Sequence, residues 1–175
     1  DNYEHAYIIG GKDALSNIND IWTLDIKKYT WSKIEQLNNS STDKRYGHTT
    51  VYFKKKLIVF GGSSRYLDYF YMTDLEVFDL VTKKWITPNS FTKNVLKLRK
   101  NHVAEVVGSY MIIHGGIHED GDKREILNDA YMLNLTNFKW NTLSIKTESD
   151  IKEDSSIQMY NKNKNVLDLD IFALG

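Results

Sequence analysis

Arg45-Tyr46-Gly47-His48-Thr49-Thr50-Val51-Tyr52-Phe53-Lys54-Lys55-Lys56-Leu57-Ile58-Val59-Phe60-Gly61-Gly62 reads as strand, turn, strand. Residues 49–53 are β-branched or aromatic, and so are most of 57–60, the types that suit a pleated, half-buried surface. The lysine triplet between them marks a solvated turn, which also guards two apolar strands against aggregation. Two glycines directly after a strand permit positive φ and a close approach of backbone to backbone. Ahead of the first strand stands an Arg-x-x-His, Arg45 to His48.

Moving outward from this stretch, the same markers return in a fixed order. Glycine pairs occur at Gly10-Gly11, Gly61-Gly62 and Gly115-Gly116, and an Asp follows each of them at Asp20, Asp74 and Asp129. Each Asp is followed by a Trp 11 residues later, at Trp31, Trp85 and Trp140, and the tryptophans are 54 and 55 residues apart. A second Arg-x-x-His runs from Arg99 to His102; both Trp-to-Arg gaps are 14 and both His-to-Gly gaps are 13. Only the stretch from glycine pair to Asp varies in length, which predicts loops there and a framework elsewhere. Short strands at even spacing, with Gly, Asn, Asp, Ser and Lys at the turns, predict an all-β array. A repeated Trp is large enough to fill the wedge between neighbouring units. An Asp at a strand start can accept backbone N–H groups, and the Arg and His are expected to hydrogen-bond across the joint.

These residues resemble the Kelch family, whose repeat of about 50 residues makes one four-stranded blade of a β-propeller. The resemblance implies one Kelch-repeat segment over 1–175: an all-β, partial propeller of about three blades plus part of a fourth. Repeat units are expected at approximately 5–60, 61–114 and 115–175. The chain enters at Tyr7-Ile8-Ile9, in the position of a second strand. A fourth unit is degenerate, with Asp154 and Ile157 near its Arg and His positions. A fragment of a larger propeller is the favoured reading, because an open arc leaves raw edges. Self-association through those edges, including two chains closing one ring, is the alternative. The spare strand Val166 to Ala173 argues against a simple ring.

Composition sets limits on function. Lys and Arg total 23 and Asp and Glu total 23, so no long-range field draws the 175-residue chain to nucleic acid or an anionic membrane. Neither partner is expected. Without cysteine there is no disulfide, thiolate zinc site or cysteine nucleophile. The Cys–Tyr pair of the copper oxidases that share the fold is likewise unavailable. This fits a reducing compartment, and a cytoplasmic location is expected. No phosphate-binding glycine motif and no H-E-x-x-H occurs, so no catalytic residue and no cofactor is assigned. The run His118-Glu119-Asp120-Gly121-Asp122 has its glycine misplaced for a calcium loop, and a solvated acidic loop is the expected reading.

Partner contacts are expected where the repeat varies. In Kelch propellers of this type, one face is built from the loops after the glycine pairs and between blades; here these are 12–19, 63–73 and 117–128, with 34–44 and 89–98. The second carries Arg65, Tyr66, Tyr69, Phe70 and Tyr71, types that dominate protein interfaces. The third carries His118, Lys123 and Arg124 among mixed charges. The leading expectation is therefore a protein-interaction module, a scaffold that holds a protein or peptide on its loop face. A regulatory Kelch domain attached to an enzyme, such as a Ser/Thr phosphatase or a ubiquitin-ligase adaptor, is the second. A metal-dependent enzyme using the His/Asp/Glu loop is the third.

Overall fold

The computed structural model describes residues 4–13, 17–37, 44–64, 75–88 and 96–144. The chain divides into two compact units, Asp1–Leu143 and Ser144–Gly175, and of the second only Ser144 is described. Arg65, Tyr66, Tyr69, Phe70, Tyr71, Asp74 and the degenerate fourth unit lie outside the described residues. Among the described residues there are eleven strands and no helix, hence none long and apolar enough to cross a membrane.

The strands form three antiparallel sheets in chain order. Sheet one contains β1 (His5–Lys12), β2 (Asn17–Asp25) and β3 (Thr30–Ile34). Sheet two contains β4 (Thr49–Phe53), β5 (Lys56–Phe60), β6 (Glu76–Asp79) and β7 (Lys84–Ile86). Sheet three contains β8 (Val103–Val107), β9 (Tyr110–Asp120), β10 (Lys123–Asn134) and β11 (Lys139–Leu143). In each four-stranded sheet the order follows the chain, the meander of a propeller blade. Register aligns the sheets: Leu24 faces Trp31, Phe78 faces Trp85 and Leu133 faces Trp140. By this alignment β1 stands where β5 and β9 stand, second in its sheet.

The turn before each Trp strand is built alike. The Asp79 carboxylate accepts from the N–H groups of Val81 and Thr82, and that of Asp25 from Lys27 and Lys28. Asn134 does the same for Thr136. Each turn closes on a residue in the left-handed region, Tyr29, Lys83 or Phe138. An Asx side chain supplies the acceptor that a tight turn lacks, which is why Asp or Asn recurs there.

Sheet two is buried on both sides. Successive residues of a strand point to opposite faces. Leu57, Val59, Phe78 and Trp85 pack with Ile21, Tyr7, Ile9 and Ile34 of sheet one. Ile58, Phe60, Val77, Leu75 and Val51 pack with Met111, Ile113 and Leu133 of sheet three. One face of each later sheet, the face that carries its Trp, therefore lies on the sheet before it. Phe60 and Trp140 make that contact with ring centres 5.0 Å apart.

The stretches after two of the glycine pairs differ from the expected loops. Residues 117–128 continue β9 and β10 as a ladder to Asp120 opposite Lys123, closed by the two residues Gly121 and Asp122. Sheet one repeats this on a smaller scale, with Lys12 opposite Asn17. In both, the glycine pair does not end the strand; the register shifts there, between Ile9 and Gly11 and between Leu127 and Ala130. The bulge lies on the opposing strand, between Ile18 and Ile21 and between Leu127 and Ala130, and the ladder resumes beyond it. In sheet two the strand does end at Phe60, directly before Gly61.

Candidate functional site

The two Arg-x-x-His segments each enter their sheet just ahead of its first strand, and each ties two sheets together. The N–H of Gly11 donates to the Arg45 carbonyl (3.0 Å), and that of Gly62 donates to the Arg99 carbonyl (2.9 Å). His48 reaches back to sheet one, its Nε2 donating to the Ile9 carbonyl at 3.0 Å. A carbonyl only accepts, so the proton sits on Nε2. His102 reaches back to sheet two, its Nε2 lying 2.7 Å from the Thr49 hydroxyl. The N–H of Asn101 donates to the Gly47 carbonyl (2.7 Å), linking one segment to the other.

The arginines work within their own sheets. Arg99 is fully buried; its Nη1 donates to the Gly115 carbonyl (2.9 Å) and its Nη1 and Nη2 grip the Asp129 carboxylate at 2.6 and 2.9 Å. Tyr131 lies under the guanidinium. Arg45 donates to the Gly61 carbonyl (3.1 Å) and to Glu76 (2.7 Å). Glu76 was not singled out in the sequence. It stands two residues beyond Asp74 in the sequence, and a strand's period of two is the signal that finds it.

These contacts fix the charge states. Burial, then the nearby Arg45, pushes His48 down to about 4 despite its bond to Ile9. Burial, then Arg99 and His48, pushes His102 down to about 4. Both rings are neutral at pH 7. The hydrogen bonds from Arg99 hold Asp129 below the usual carboxylate range. A neutral buried imidazole could serve as a base, but both rings face backbone or a hydroxyl inside a joint.

Trp85 is 6% exposed, lies tilted against Phe78 with ring centres 5.0 Å apart, and donates from Nε1 to the Gln36 side chain at 2.7 Å. Gln36 also donates to the Asn19 carbonyl (2.9 Å), so it clamps sheet one to the Trp of sheet two. Trp31 is 48% exposed. With Ile8 and Trp22 it lines an open apolar groove on the Trp face of sheet one. Asp20 pairs with Lys33 at 2.8 Å.

Of the proposed partner residues, three are described. His118 is part of the frame, its Nδ1 lying 2.8 Å from the Leu98 carbonyl. Lys123 and Arg124 are exposed on the hairpin of β9 and β10. The base of that hairpin is pinned by Lys97 on both oxygens of Glu125 (2.7 Å) and by Lys100 on Glu119 (2.7 Å). Glu119 is thereby directed at a lysine. Among the described residues no three His, Asp or Glu side chains gather to hold a metal ion.

Comparison with known proteins matches residues 2–167 to the KLHDC2/KLHL20/DRC7 Kelch-repeats domain. Among curated relatives, protein ral2 of Schizosaccharomyces pombe is 31% identical over 97 residues, covering 52% of this chain and 16% of that protein. Acyl-CoA-binding domain-containing protein 4 of Arabidopsis thaliana is 28% identical over 158 residues, covering 81% and 23%. The human Rab9 effector protein with kelch motifs is 28% identical over 129 residues, covering 67% and 34%. The chain thus spans a minor part of each of these relatives.

Proposed function

Because the chain belongs to the KLHDC2/KLHL20/DRC7 Kelch-repeat family, whose domains are generally protein-interaction modules, we propose that it holds a protein or peptide partner on the loops beyond its glycine pairs. The observation that carries this reading is the pinned hairpin of β9 and β10. It offers Lys123, Arg124 and the 70% exposed Ile126 on a hydrogen-bonded antiparallel ladder. A pre-organised surface loses little conformational freedom on binding, which favours affinity. Arg beside an exposed aliphatic group suits a partner segment that is acidic and partly apolar. Arg65, Tyr66, Tyr69, Phe70 and Tyr71 belong to the same proposed face, with His118 as its support. The buried groups that could carry chemistry, His48 and His102, are engaged in the joints, which supports binding in place of catalysis. That one relative is named a Rab9 effector favours the same class of function.

The test is quantitative capture from lysate of the source cell. Three baits are compared: the parent chain, Lys123→Glu with Arg124→Glu, and Tyr66→Ala with Tyr69→Ala and Phe70→Ala. Each is first shown to be folded by circular dichroism. A protein held by the parent and lost from both variants is the expected result. Equal capture by all three overturns the reading. A second reading, a regulatory domain joined to a separate functional domain, draws on the relative named for an acyl-CoA-binding domain. Sequencing the whole open reading frame decides it, whether the neighbour is a phosphatase, a ubiquitin-ligase adaptor or neither.

A further inference from the structure

Sheet two has both of its neighbours, and its two hairpin turns lie side by side at the end remote from its glycine pair. The Leu80 N–H donates to the Lys55 carbonyl (3.0 Å), and Lys56 stands opposite Asp79. Four exposed lysines occupy or adjoin these turns, Lys54 and Lys55 at one and Lys83 and Lys84 at the other. The acid beside them is already engaged: Asp79 accepts from the Val81 and Thr82 N–H groups and pairs with Lys56 at 3.0 Å. Among the described residues, none of the four lysines has a carboxylate partner.

Turn geometry does not call for lysine at these positions. Lys54, Lys55 and Lys83 hold φ of 47°, 61° and 55°, in the left-handed region that disfavours a side chain. A two-residue hairpin loop with positive φ at both positions favours Asn-Gly. The corresponding turn of sheet three has a glycine there, Gly108 at 61°. Like charges gathered on adjacent turns also repel. A backbone held against its preference, carrying charge held against its like, marks a surface with a function of its own.

Residue type points to what this surface meets. Arginine, with its planar fork, is the cation that reads carboxylates at protein interfaces, and lysine is depleted there. Lysine is a compact charge on a long apolar stem, suited to a diffuse array of negative groups. Val81 stands in the same turn as Lys83 and is 69% exposed. An aliphatic group set among lysines matches the boundary between lipid headgroups and acyl chains. The chain's balance of 23 basic and 23 acidic side chains removes a long-range field and leaves this local one, which acts within about 10 Å.

We propose that the turn end of sheet two, with Lys54, Lys55, Lys83, Lys84 and Val81, rests on a bilayer surface rich in anionic phospholipid. The lysines sit among the headgroup phosphates and Val81 reaches the acyl boundary. The length of β5 separates this end from Gly61 and the loops beyond it, so the loop face proposed above stays free and neither reading depends on the other.

The purified chain is sedimented with vesicles of phosphatidylcholine alone and of phosphatidylcholine mixed with phosphatidylserine. Retention on the anionic vesicles alone is expected, and its loss between about 0.1 and about 1 M salt, as the screening length falls from about 10 to about 3 Å. Lys54→Asn with Lys55→Gly installs the preferred turn pair. It is expected to melt at or above the temperature of the parent and yet to bind about tenfold more weakly, which a role confined to folding does not produce. Lys83→Asn weakens binding several-fold. Lys33→Gln, the same change of charge beside Asp20 at the other end of sheet one, leaves it unchanged. Equal retention on both kinds of vesicle overturns the proposal, as does undiminished binding by the Asn-Gly variant or equal weakening by Lys33→Gln. Tighter binding to a DNA duplex or to poly-glutamate than to the vesicles overturns the assignment to lipid.

Discussion

Arg99 and Asp129 are joined by two parallel hydrogen bonds, 2.6 and 2.9 Å long, with the guanidinium fully buried and the carboxylate still touching water. The pair sits on the Gly115 carbonyl, so one side chain fastens the entering segment, the glycine bulge and the third strand of its sheet. Arg99→Met is expected to cost about 3 kcal/mol, since it strips a buried carbonyl and an ion pair of their donor. Asp129→Asn leaves the fully buried guanidinium without its counter-charge and sets an amide NH2 against one of its donors, so it too is expected to cost about 3 kcal/mol. Urea unfolding followed by tryptophan fluorescence measures both. Equal, small losses would show that the fork contributes nothing beyond packing.

His48 and His102 make stability depend on pH. Each ring titrates near 6.5 in the unfolded chain and near 4 in the folded one. As pH falls from about 6.5 to about 4 the unfolded state takes up protons that the folded state refuses, so stability falls over that window and is complete above it. Each ring accounts for up to about 3 kcal/mol at the low end. Asp129, held low by Arg99, adds a further loss as pH drops through and below the ordinary carboxylate range. Unfolding curves at half-unit pH intervals give the slope. The double variant His48→Gln with His102→Gln should flatten the upper part alone, and an unchanged slope there removes the histidines as its cause.

Gly62 combines φ of 94° with two neighbours at 2.9 Å from a built Cβ. Gly62→Ala is expected to lose about 3 kcal/mol, the sum of an unfavourable backbone region and a collision with Tyr46 and His48. Gly108 has φ of 61° in an exposed turn and no described neighbour within 4 Å of that atom. Gly108→Ala therefore pays only for the backbone, about 1 kcal/mol. Thermal unfolding of the pair separates crowding from conformation; equal losses would mean that crowding is relieved by relaxation.

Gln36 and Trp85 meet across the joint of the first two sheets at 2.7 Å. A double-mutant cycle with Gln36→Ala and Trp85→Phe should return a coupling of about 1 kcal/mol, the net value of a partly shielded hydrogen bond. A coupling of zero would reduce Gln36 to its bond with Asn19.

The repeat was legible because the groups that join sheets are few, large and periodic. Arg99, His102 and Trp85 stand where spacing alone sets them, since a joint that recurs must use the same side chains at the same depth. Residues 117–128 were not legible as a ladder. Their charged sequence hides the alternation of strands, and only Gly121-Asp122 marks the turn. Gln36 was hidden for a different reason: it has no counterpart in the other units, and its value comes from Asn19 and Trp85, which meet only after folding. On the proposed partner face, Lys123 and Arg124 could be placed on the hairpin, and His118 proved to be bonded to the backbone.

The two joints share an Arg-x-x-His segment, a glycine pair that donates to the Arg carbonyl and a Trp packed on the sheet before, and this makes a blade close to an interchangeable unit of length. Excision of residues 46–99, one full period, would fuse Arg45 to Lys100 and preserve an Arg-x-x-His. The underside of the first sheet, with Tyr7, Ile9 and Ile21, would then meet Met111, Ile113 and Trp140 in place of Leu57, Val59 and Trp85. Gene duplication or unequal crossover in whole periods therefore changes the copy number of blades while keeping the shared contacts of the joint, the Gln36–Trp85 bond excepted. A break within a period would leave one joint without its other half.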